Sequence, residues 1–233
     1  MKVACMQPYF LPYIGYFQLI SAVDKFVVYD NIKYTKKGWI NRNRFLVNGL
    51  EAVFSLPLKK DSDSLNVNQR YLADSFVPED LLNRFKEAYR KAPEFSSVMP
   101  LLGDIIYHPS TNLFEFIFSS IRLICNFLEI KTQLVISSSI TCNHSLKSAE
   151  RVQATCNSFG ADTYINPVGG MDLYKKADFA ENGINLKFIK ALPYEYPQFG
   201  ETFVPWLSVI DVLMFNSLVE IGQLIHKYDL EST

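Results

Sequence analysis

The alternation of apolar and polar positions along the chain predicts short buried strands separated by amphipathic helices. An apolar run over 2–7 predicts a strand, helical spacing over 13–23 predicts a helix, and a run rich in Val and Phe over 25–29 predicts a second strand. A strand, a helix and a second strand so close together form a βαβ unit, which implies a parallel sheet.

The second half of the chain repeats this alternation. The pattern predicts strands over 132–136, 162–166 and 184–189 and helices over 146–159, 172–181 and 207–227. Gly160 is expected to end the first of these helices in a left-handed conformation. We therefore expect one α/β domain over 1–233, built on a doubly wound, Rossmann-like parallel sheet of about five strands.

Residues 43–130 are predicted to form an excursion from this sheet. Strands over 44–47 and 50–56 flank Asn48-Gly49, a pair suited to a two-residue hairpin turn. A polar loop over 60–75 and a helix over 78–92 follow. The very apolar stretch 113–128 contains polar residues throughout, so it is expected to be a buried helix, capped by Asn112 with Glu115.

Composition excludes several classes of protein. The chain has 233 residues, of which 48% are hydrophobic and 14% aromatic, so an intrinsically disordered chain is not expected. The four cysteines form no C-x-x-C pair and the three histidines lie far apart, so we expect no metal site. The apolar stretch after Met1 is too short for a signal peptide or a membrane span, which predicts a soluble, cytoplasmic protein. No nucleotide-binding or serine-hydrolase motif is present, and no cofactor is indicated.

Polar residues stand at the predicted carboxyl ends of three strands. Gln7, Asp30 and Asn166 occupy these positions. In doubly wound sheets, ligands bind in a crevice beyond the carboxyl ends of the strands. We therefore expect these three side chains near one binding crevice.

Residues 6–18, the proline-aromatic segment, carry the densest chemical signal. Two prolines stiffen the turn between strand and helix, and Gly15 lets another group approach the backbone. The free N–H groups at the helix start favour an anion. An aromatic core plug would explain Phe10 and Phe17. It explains less well the candidate site residues Gln7, Tyr13, Tyr16 and Gln18.

Residues 36–44, the basic segment, supply cations, amides and one tryptophan. Five Lys or Arg residues and no acid lie within 31–44, although the whole chain has a net charge of −1. This contrast favours a small anionic ligand over a long polyanion, the alternative being a solvated loop. Cations bind phosphate, amides pair with hydroxyls, and indole stacks on a sugar or base. The candidates are Lys36, Lys37, Trp39, Asn41, Arg42 and Asn43. Single-stranded nucleic acid would need more than one stacking residue.

Three weaker signals complete the candidate site. Gly169 and Gly170, which follow Asn166, could form a small anion-binding turn or an ordinary loop. His144 follows a strand and could reach the crevice. Asp211 is either a buried carboxylate or part of a capping box with Ser208, and the spacing favours the cap.

The chain resembles the WbqC-like family of bacteria. The resemblance rests on KVACMQPYFLPYIGYFQLI at 2–20, VDKFVVYDNIKY at 23–34 and KKGWINRNRF at 36–45. Segments at 160–170, 183–190 and 204–217 agree as well. The chain departs from the family pattern at Pro205-Trp206, where a proline-asparagine pair is usual.

The resemblance implies a function in building bacterial surface polysaccharides such as O-antigen. It implies a transferase that moves an aminoacyl group, glycyl or related, onto an amino sugar held as a sugar nucleotide. The partners would be this sugar nucleotide and an acyl donor of unknown form. A nucleic acid would take part only as an aminoacyl-tRNA donor, and no membrane partner is expected.

Roles for the candidate residues follow from this hypothesis. Lys36, Lys37 and Arg42 would hold the diphosphate, and Trp39, Asn41 and Asn43 would bind the sugar or base. Asp30 is the first candidate for the general base and His144 the second. Tyr13 or Tyr16 would stabilise the oxyanion.

Two alternatives stay open. The first half also resembles the nucleotidyltransferase-like fold of adenylate-forming enzymes, in which H-x-G-H opens the first helix. Tyr13-Ile14-Gly15-Tyr16 keeps the glycine but lacks both imidazoles. An ATP-dependent, carboxylate-activating enzyme of that fold is one alternative, and a non-enzymatic binding protein of a polysaccharide assembly pathway is the other.

Overall fold

The structure is a computed structural model that describes residues 1–231. The strands are β1 (Lys2–Met6), β2 (Lys25–Val28), β3 (Arg42–Val47), β4 (Leu50–Ser55), β5 (Gln133–Ile136), β6 (Thr163–Pro167), β7 (Asn185–Ala191) and β8 (Tyr228–Glu231). The helices are α1 (Ile14–Ser21), α2 (Pro78–Tyr89), α3 (Phe95–Ile106), α4 (Leu113–Phe127), α5 (Ser148–Phe159), α6 (Lys176–Ala180), α7 (Val209–Phe215) and α8 (Leu218–Ile225).

The central sheet has six strands in the order β5-β2-β1-β6-β7-β8. The first five are parallel, and β8 pairs antiparallel to β7 at one edge. All five parallel strands were predicted from their apolar runs. Such runs fit this position, because strands of a parallel sheet are buried on both faces.

Helices cover both faces of this sheet. On one face, Ala4, Phe26 and Ile165 join a core that includes residues of α1, α4, α7 and α8. On the other face, Val3 and Tyr164 join a second core with residues of α5 and α6. The predicted α/β architecture is confirmed at this level. The Rossmann-like or nucleotidyltransferase-like assignment stays a prediction.

The excursion contains the predicted hairpin and three helices. β3 and β4 form a separate two-stranded antiparallel sheet. Asn48 and Gly49 have φ values of 52° and 77°, as the two-residue turn requires. Asn112 Oδ1 accepts from the backbone N–H groups of Phe114 (3.0 Å) and Glu115 (3.2 Å), which confirms the cap of α4. Within residues 1–231, no helix combines the length and apolar character needed to cross a membrane.

Two sequence predictions about helices were wrong. The closing helix predicted over 207–227 is two helices, because Asn216 is extended (ψ 140°) and Ser217 starts α8 through a capping box with Glu220. The helix predicted over 172–181 spans only Lys176–Ala180, since residues 168–173 form a 3₁₀ helix.

The predicted capping box at Ser208 is also wrong. Ser208 caps α7 by accepting from the Ile210 N–H. Asp211 points away from the helix start and is fully buried. Its carboxylate accepts hydrogen bonds from the hydroxyls of Tyr89 (2.9 Å) and Tyr196 (2.7 Å). The buried-carboxylate alternative was therefore the correct one.

A candidate binding crevice at the ends of the central strands

The crevice opens where the connections after two neighbouring strands diverge. From β1 the chain enters α1 on one face of the sheet, and from β6 it enters the 3₁₀ helix and α6, with Phe179 of α6 in the core of the other face. Such a divergence leaves a crevice beyond the carboxyl ends of both strands. Here it holds pocket A, of about 280 Å³, and pocket C, of about 430 Å³. Met6, Tyr9 and Pro167 line both pockets, so the two pockets are adjacent.

Aromatic rings of the proline-aromatic segment form one wall of pocket A. The pocket is lined by Met6, Tyr9, Pro12, Tyr13, Gly15, Tyr16, Leu19, Trp39, Asn43, Arg44, Pro167 and Trp206. Tyr16 is buried, and its hydroxyl donates to the Gln7 carbonyl (2.9 Å). Burial raises the pKa of Tyr16 well above its ordinary value. Tyr16 is therefore a fixed wall whose hydroxyl already has a partner.

Tyr13 takes the space that Gly15 leaves at the start of α1. A Cβ at Gly15 would lie 2.2 Å from the Tyr13 ring. The group that approaches the backbone at this glycine is thus the tyrosine two residues earlier. On its other side the Tyr13 ring contacts Trp206 edge-on, with centroids 5.7 Å apart.

Trp206 adopts a conformation that is rare for a bulky side chain. Its φ is +61°, and its side chain is 62% exposed. The Arg44 guanidinium donates to its carbonyl (3.0 Å) and holds the backbone there. Backbone strain of this kind costs about 1–3 kcal/mol and clusters at functional sites. Trp206 was not among the predicted site residues, although its departure from the family pattern had singled it out.

Three residues of the basic segment complete pocket A. Trp39 is 44% exposed, and the guanidinium groups of Arg42 and Arg44 each lie 5.3 Å from its ring centroid. Asn43 is buried and donates to the Leu11 carbonyl (2.7 Å), which ties this segment to the proline-aromatic segment. Arg44 pairs with Glu51 (2.8 Å), yet its buried Nε has no hydrogen-bond partner among residues 1–231. The charge of Arg44 was counted within 31–44, but Arg44 was not among the predicted site residues.

The other predicted residues of the basic segment lie outside pockets A and C. Lys36 pairs with Asp63 (2.7 Å), and the Lys37 side chain is exposed. Arg42 donates to the carbonyls of Gly38 (2.9 Å) and Lys37 (2.6 Å). Asn41 accepts from the Tyr34 hydroxyl (2.9 Å) and donates to the Leu56 carbonyl (2.8 Å). Arg42 and Asn41 thus hold the segment in shape, and a role of these four in binding stays a prediction.

Pocket C brings together the predicted residues at the ends of β1 and β6. Gln7, Asn166, Gly169 and Gly170 all line it. Gln7 accepts from the Tyr9 hydroxyl (3.1 Å), and Asn166 accepts from the Tyr164 hydroxyl (3.3 Å). A Cβ at Gly170 would lie 2.2 Å from the Asn166 amide nitrogen, so a side chain at this position would displace the Asn166 amide.

Asp30 and His144 line neither pocket. The buried Asp30 accepts from the Asn68 side chain (2.9 Å) and the Ser138 N–H (2.8 Å), one at each carboxylate oxygen. The His144 ring nitrogens lie 3.2 Å from the Asn31 amide and 3.0 Å from the Ile140 carbonyl. Asp30 is nevertheless close in sequence to Tyr29 and Ile32, which line pocket C. Their catalytic roles stay predictions.

Gln18 lies away from the crevice. It is buried on α1, and its amide donates to the carbonyls of Leu224 (2.8 Å) and Lys227 (3.1 Å). These bonds join α1 to the end of α8. The structure gives Gln18 a structural role, and its predicted contact with substrate finds no geometric support.

Comparison with known proteins agrees with the resemblance seen in the sequence. The profile of the WbqC-like protein family matches residues 7–222. The chain belongs to the WbqC-like family. It is 28% identical over 221 residues to a Mycobacterium tuberculosis (strain ATCC 25618 / H37Rv) protein called Uncharacterized protein Rv1507c. This alignment covers 92% of this chain and 93% of that protein. No solved structure matches the chain. The family match includes all residues that line pocket A except Met6.

Proposed function

We propose that this WbqC-like protein binds a nucleotide-linked amino sugar in pockets A and C and transfers an aminoacyl group to its amine. The product would serve O-antigen or a related surface polysaccharide. The observation that carries the proposal is the side-chain set of pocket A. Exposed Trp39 stands beside Arg44, whose buried Nε lacks a partner in the described part of the chain, at the switch point of the sheet.

The binding chemistry fits a ring joined to phosphate. Tyr9, Tyr13 and Trp39 offer flat faces for a sugar or base, and Arg44 offers a planar donor for a phosphate oxygen. Small-molecule pockets measure about 300–1,000 Å³, a range that the two adjacent pockets reach together. Lys36, Lys37 and Arg42 remain proposed phosphate contacts of second rank, since none of them lines the crevice.

The reaction would join the sugar nitrogen to the acyl carbon. The amine attacks the carbonyl, an N–C bond forms, and the bond to the donor's leaving group breaks. A base takes the amine proton, for which Asp30 and then His144 remain the proposed groups. Tyr13 is the better oxyanion donor of the two tyrosines, because the Tyr16 hydroxyl is already bonded to Gln7. Burial raises the pKa of Tyr13, which keeps its hydroxyl protonated at neutral pH.

The test is thermal unfolding against UDP- and dTDP-linked amino sugars, ATP and glycine, followed by transfer of labelled glycine. A sugar nucleotide is expected to raise the unfolding temperature, and Arg44→Ala is expected to abolish the shift. Lys33→Ala, which removes an exposed cation within 31–44 that is not a proposed phosphate contact, is the matched control. A shift with ATP alone, or an unchanged shift in Arg44→Ala, would contradict the proposal and favour carboxylate activation or another site.

A further inference from the structure

A third pocket lies on the far side of the Tyr13–Trp206 contact. Pocket B has a volume of about 280 Å³ and begins at Ala191, where β7 ends. Tyr13 and Trp206 line both pocket A and pocket B, so the two pockets adjoin at this contact. The function proposed above does not use this pocket.

Aromatic rings surround pocket B. Tyr194 and Tyr196 are stacked with centroids 5.8 Å apart, and Phe203 meets Tyr196 edge-on at 5.1 Å. With Tyr13 and Trp206 they give five aromatic side chains in the lining. A pocket with such walls binds cations through the negative faces of the rings.

A buried carboxyl group lies behind this wall. Asp211 is fully buried, and its three hydrogen-bond donors among residues 1–231 are neutral, namely Tyr89, Tyr196 and Gln198 (2.5 Å). None of the ion pairs among these residues includes it. Tyr196 both lines the pocket and donates its hydroxyl to Asp211, so this bond holds the Tyr196 ring in the pocket wall.

The charged residue that lines the pocket is an acid. Glu195 stands at its rim, and no Lys or Arg is among its lining residues. A cationic ligand would therefore meet the Glu195 carboxylate and no cation among the lining residues. Pocket A has the opposite character, because Arg44 lines it.

We propose that pocket B binds the protonated amine of the aminoacyl donor. The identity of this ligand rests on the proposed transferase function, whereas the cation site stands on the geometry alone. The acceptor's amine must lose its proton before it attacks a carbonyl, so a site that favours the charged form would slow it. The donor's α-amine takes no part in the reaction and can stay protonated throughout.

The experiment uses Trp206 as its reporter in a Trp39→Phe variant of the full chain. Glycinamide carries the ammonium and carbonyl of a glycyl group, acetamide lacks the charge, and glucosamine represents the acceptor's amine. We expect glycinamide and tetramethylammonium to change Trp206 fluorescence saturably, and acetamide to have no effect. Phe203→Leu and Glu195→Gln should each weaken glycinamide binding by about fivefold.

Two controls separate binding from folding. Glu201→Gln removes an exposed acid of the same connection that does not line pocket B, and it should leave affinity unchanged. Circular dichroism checks that Phe203→Leu is folded, and Glu195→Gln gives a second variant at an exposed position. Equal binding of acetamide, or unchanged affinity in both variants, would overturn the cation site. Tighter binding of glucosamine than of glycinamide would overturn the donor assignment. Failure of sugar-nucleotide binding in pocket A would refute the proposed function. The glycinamide measurements would still decide whether pocket B binds a cation, because they do not use a sugar nucleotide.

Discussion

The proline-aromatic segment and the basic segment were both expected to form the site, and the structure uses them differently. Most polar and aromatic side chains of the first reach the crevice, because the segment begins at the carboxyl end of β1. From the second, only Trp39, Asn43 and Arg44 reach it. Lys36 and Arg42 have partners elsewhere on the chain.

This difference between the two segments shows how far strand position and net charge can each locate a binding residue. A segment that continues a central strand has its position fixed by the sheet. The sheet does not fix the position of a segment in an excursion. Its long cationic side chains can bind nearby carbonyls and acids instead of a ligand, as Arg42 and Lys36 do. Net charge therefore identified a segment that reaches the crevice but could not tell which of its cations lines it.

The largest expected effect comes from comparing Arg44, which lines pocket A, with Lys37, which is exposed. Arg44→Ala should weaken sugar-nucleotide binding by about 10- to 100-fold, because a hydrogen bond to a charged group contributes about 1.5–3 kcal/mol. Lys37→Ala should change the affinity by less than about twofold, since an exposed charge contributes little. Isothermal titration calorimetry measures both. Equal losses would mean that the whole basic segment acts through its charge.

The next test breaks the link between the two segments. Asn43→Ala removes the buried bond to the Leu11 carbonyl, which keeps its hydrogen bond from the Ser208 hydroxyl (2.7 Å). We expect a loss of about 0.5–1.5 kcal/mol in the free energy of unfolding, measured with urea, as for one ordinary hydrogen bond. Asn41→Ala, at a half-buried position of the same segment, should cost less. The reverse order would contradict the role given to Asn43.

A third test asks how the buried carboxylate beside these segments responds to pH. Burial raises the pKa of Asp211 in the folded chain above its ordinary value of 3.8. Its contribution to stability is then fully present below pH 3.8 and is lost as the pH rises through the folded pKa. The loss amounts to about 1.4 kcal/mol for each unit of difference between the two pKa values.

Asp211→Asn cannot titrate at this position. The contributions of all other titrating groups cancel when the unfolding free energies of the wild type and the variant are subtracted. The free energy of unfolding of the wild type, minus that of the variant, should therefore fall as the pH rises from about 4 to 8. Urea unfolding at several pH values measures it. A difference that stays constant or rises with pH would contradict the account.

The smallest effect on stability is expected at Gly15. Gly15→Ala places a Cβ against the end of the Tyr13 ring, which can swing aside. We expect unfolding to change by no more than about 1 kcal/mol, near the propensity difference between Gly and Ala in a helix. The displaced ring should nevertheless alter sugar-nucleotide affinity. Unchanged affinity would mean that Tyr13 does not shape pocket A.

Much of the fold could be predicted because apolar periodicity reports burial directly. It gave all five parallel strands and the hairpin turn at Asn48-Gly49. It missed α3, where Pro100 interrupts apolar residues that do have helical spacing. It joined α7 to α8, although Ser217 and Glu220 have the spacing of a capping box. The edge strand β8 is half polar and depends on its pairing with β7, which no local pattern reveals.

The sequence could predict the part of the site that lies at the carboxyl ends of the strands. Gln7 and Asn166 both line pocket C because they stand at the carboxyl ends of β1 and β6, which are neighbours in the sheet. Trp206 reaches the crevice through a left-handed backbone and a bond from Arg44, neither of which is visible in the sequence. Asp211 was assigned to a cap because its spacing suits one. Only the tertiary structure brings Tyr89 and Tyr196 to its carboxylate.

The most direct test of the central claim is a crystal structure of the chain with the sugar nucleotide that gives the largest thermal shift. The account predicts the ligand in pockets A and C, with a ring against Trp39 and a phosphate oxygen within hydrogen-bond distance of the Arg44 guanidinium. A ligand bound instead beside Lys36 and Lys37, with the crevice empty, would contradict it.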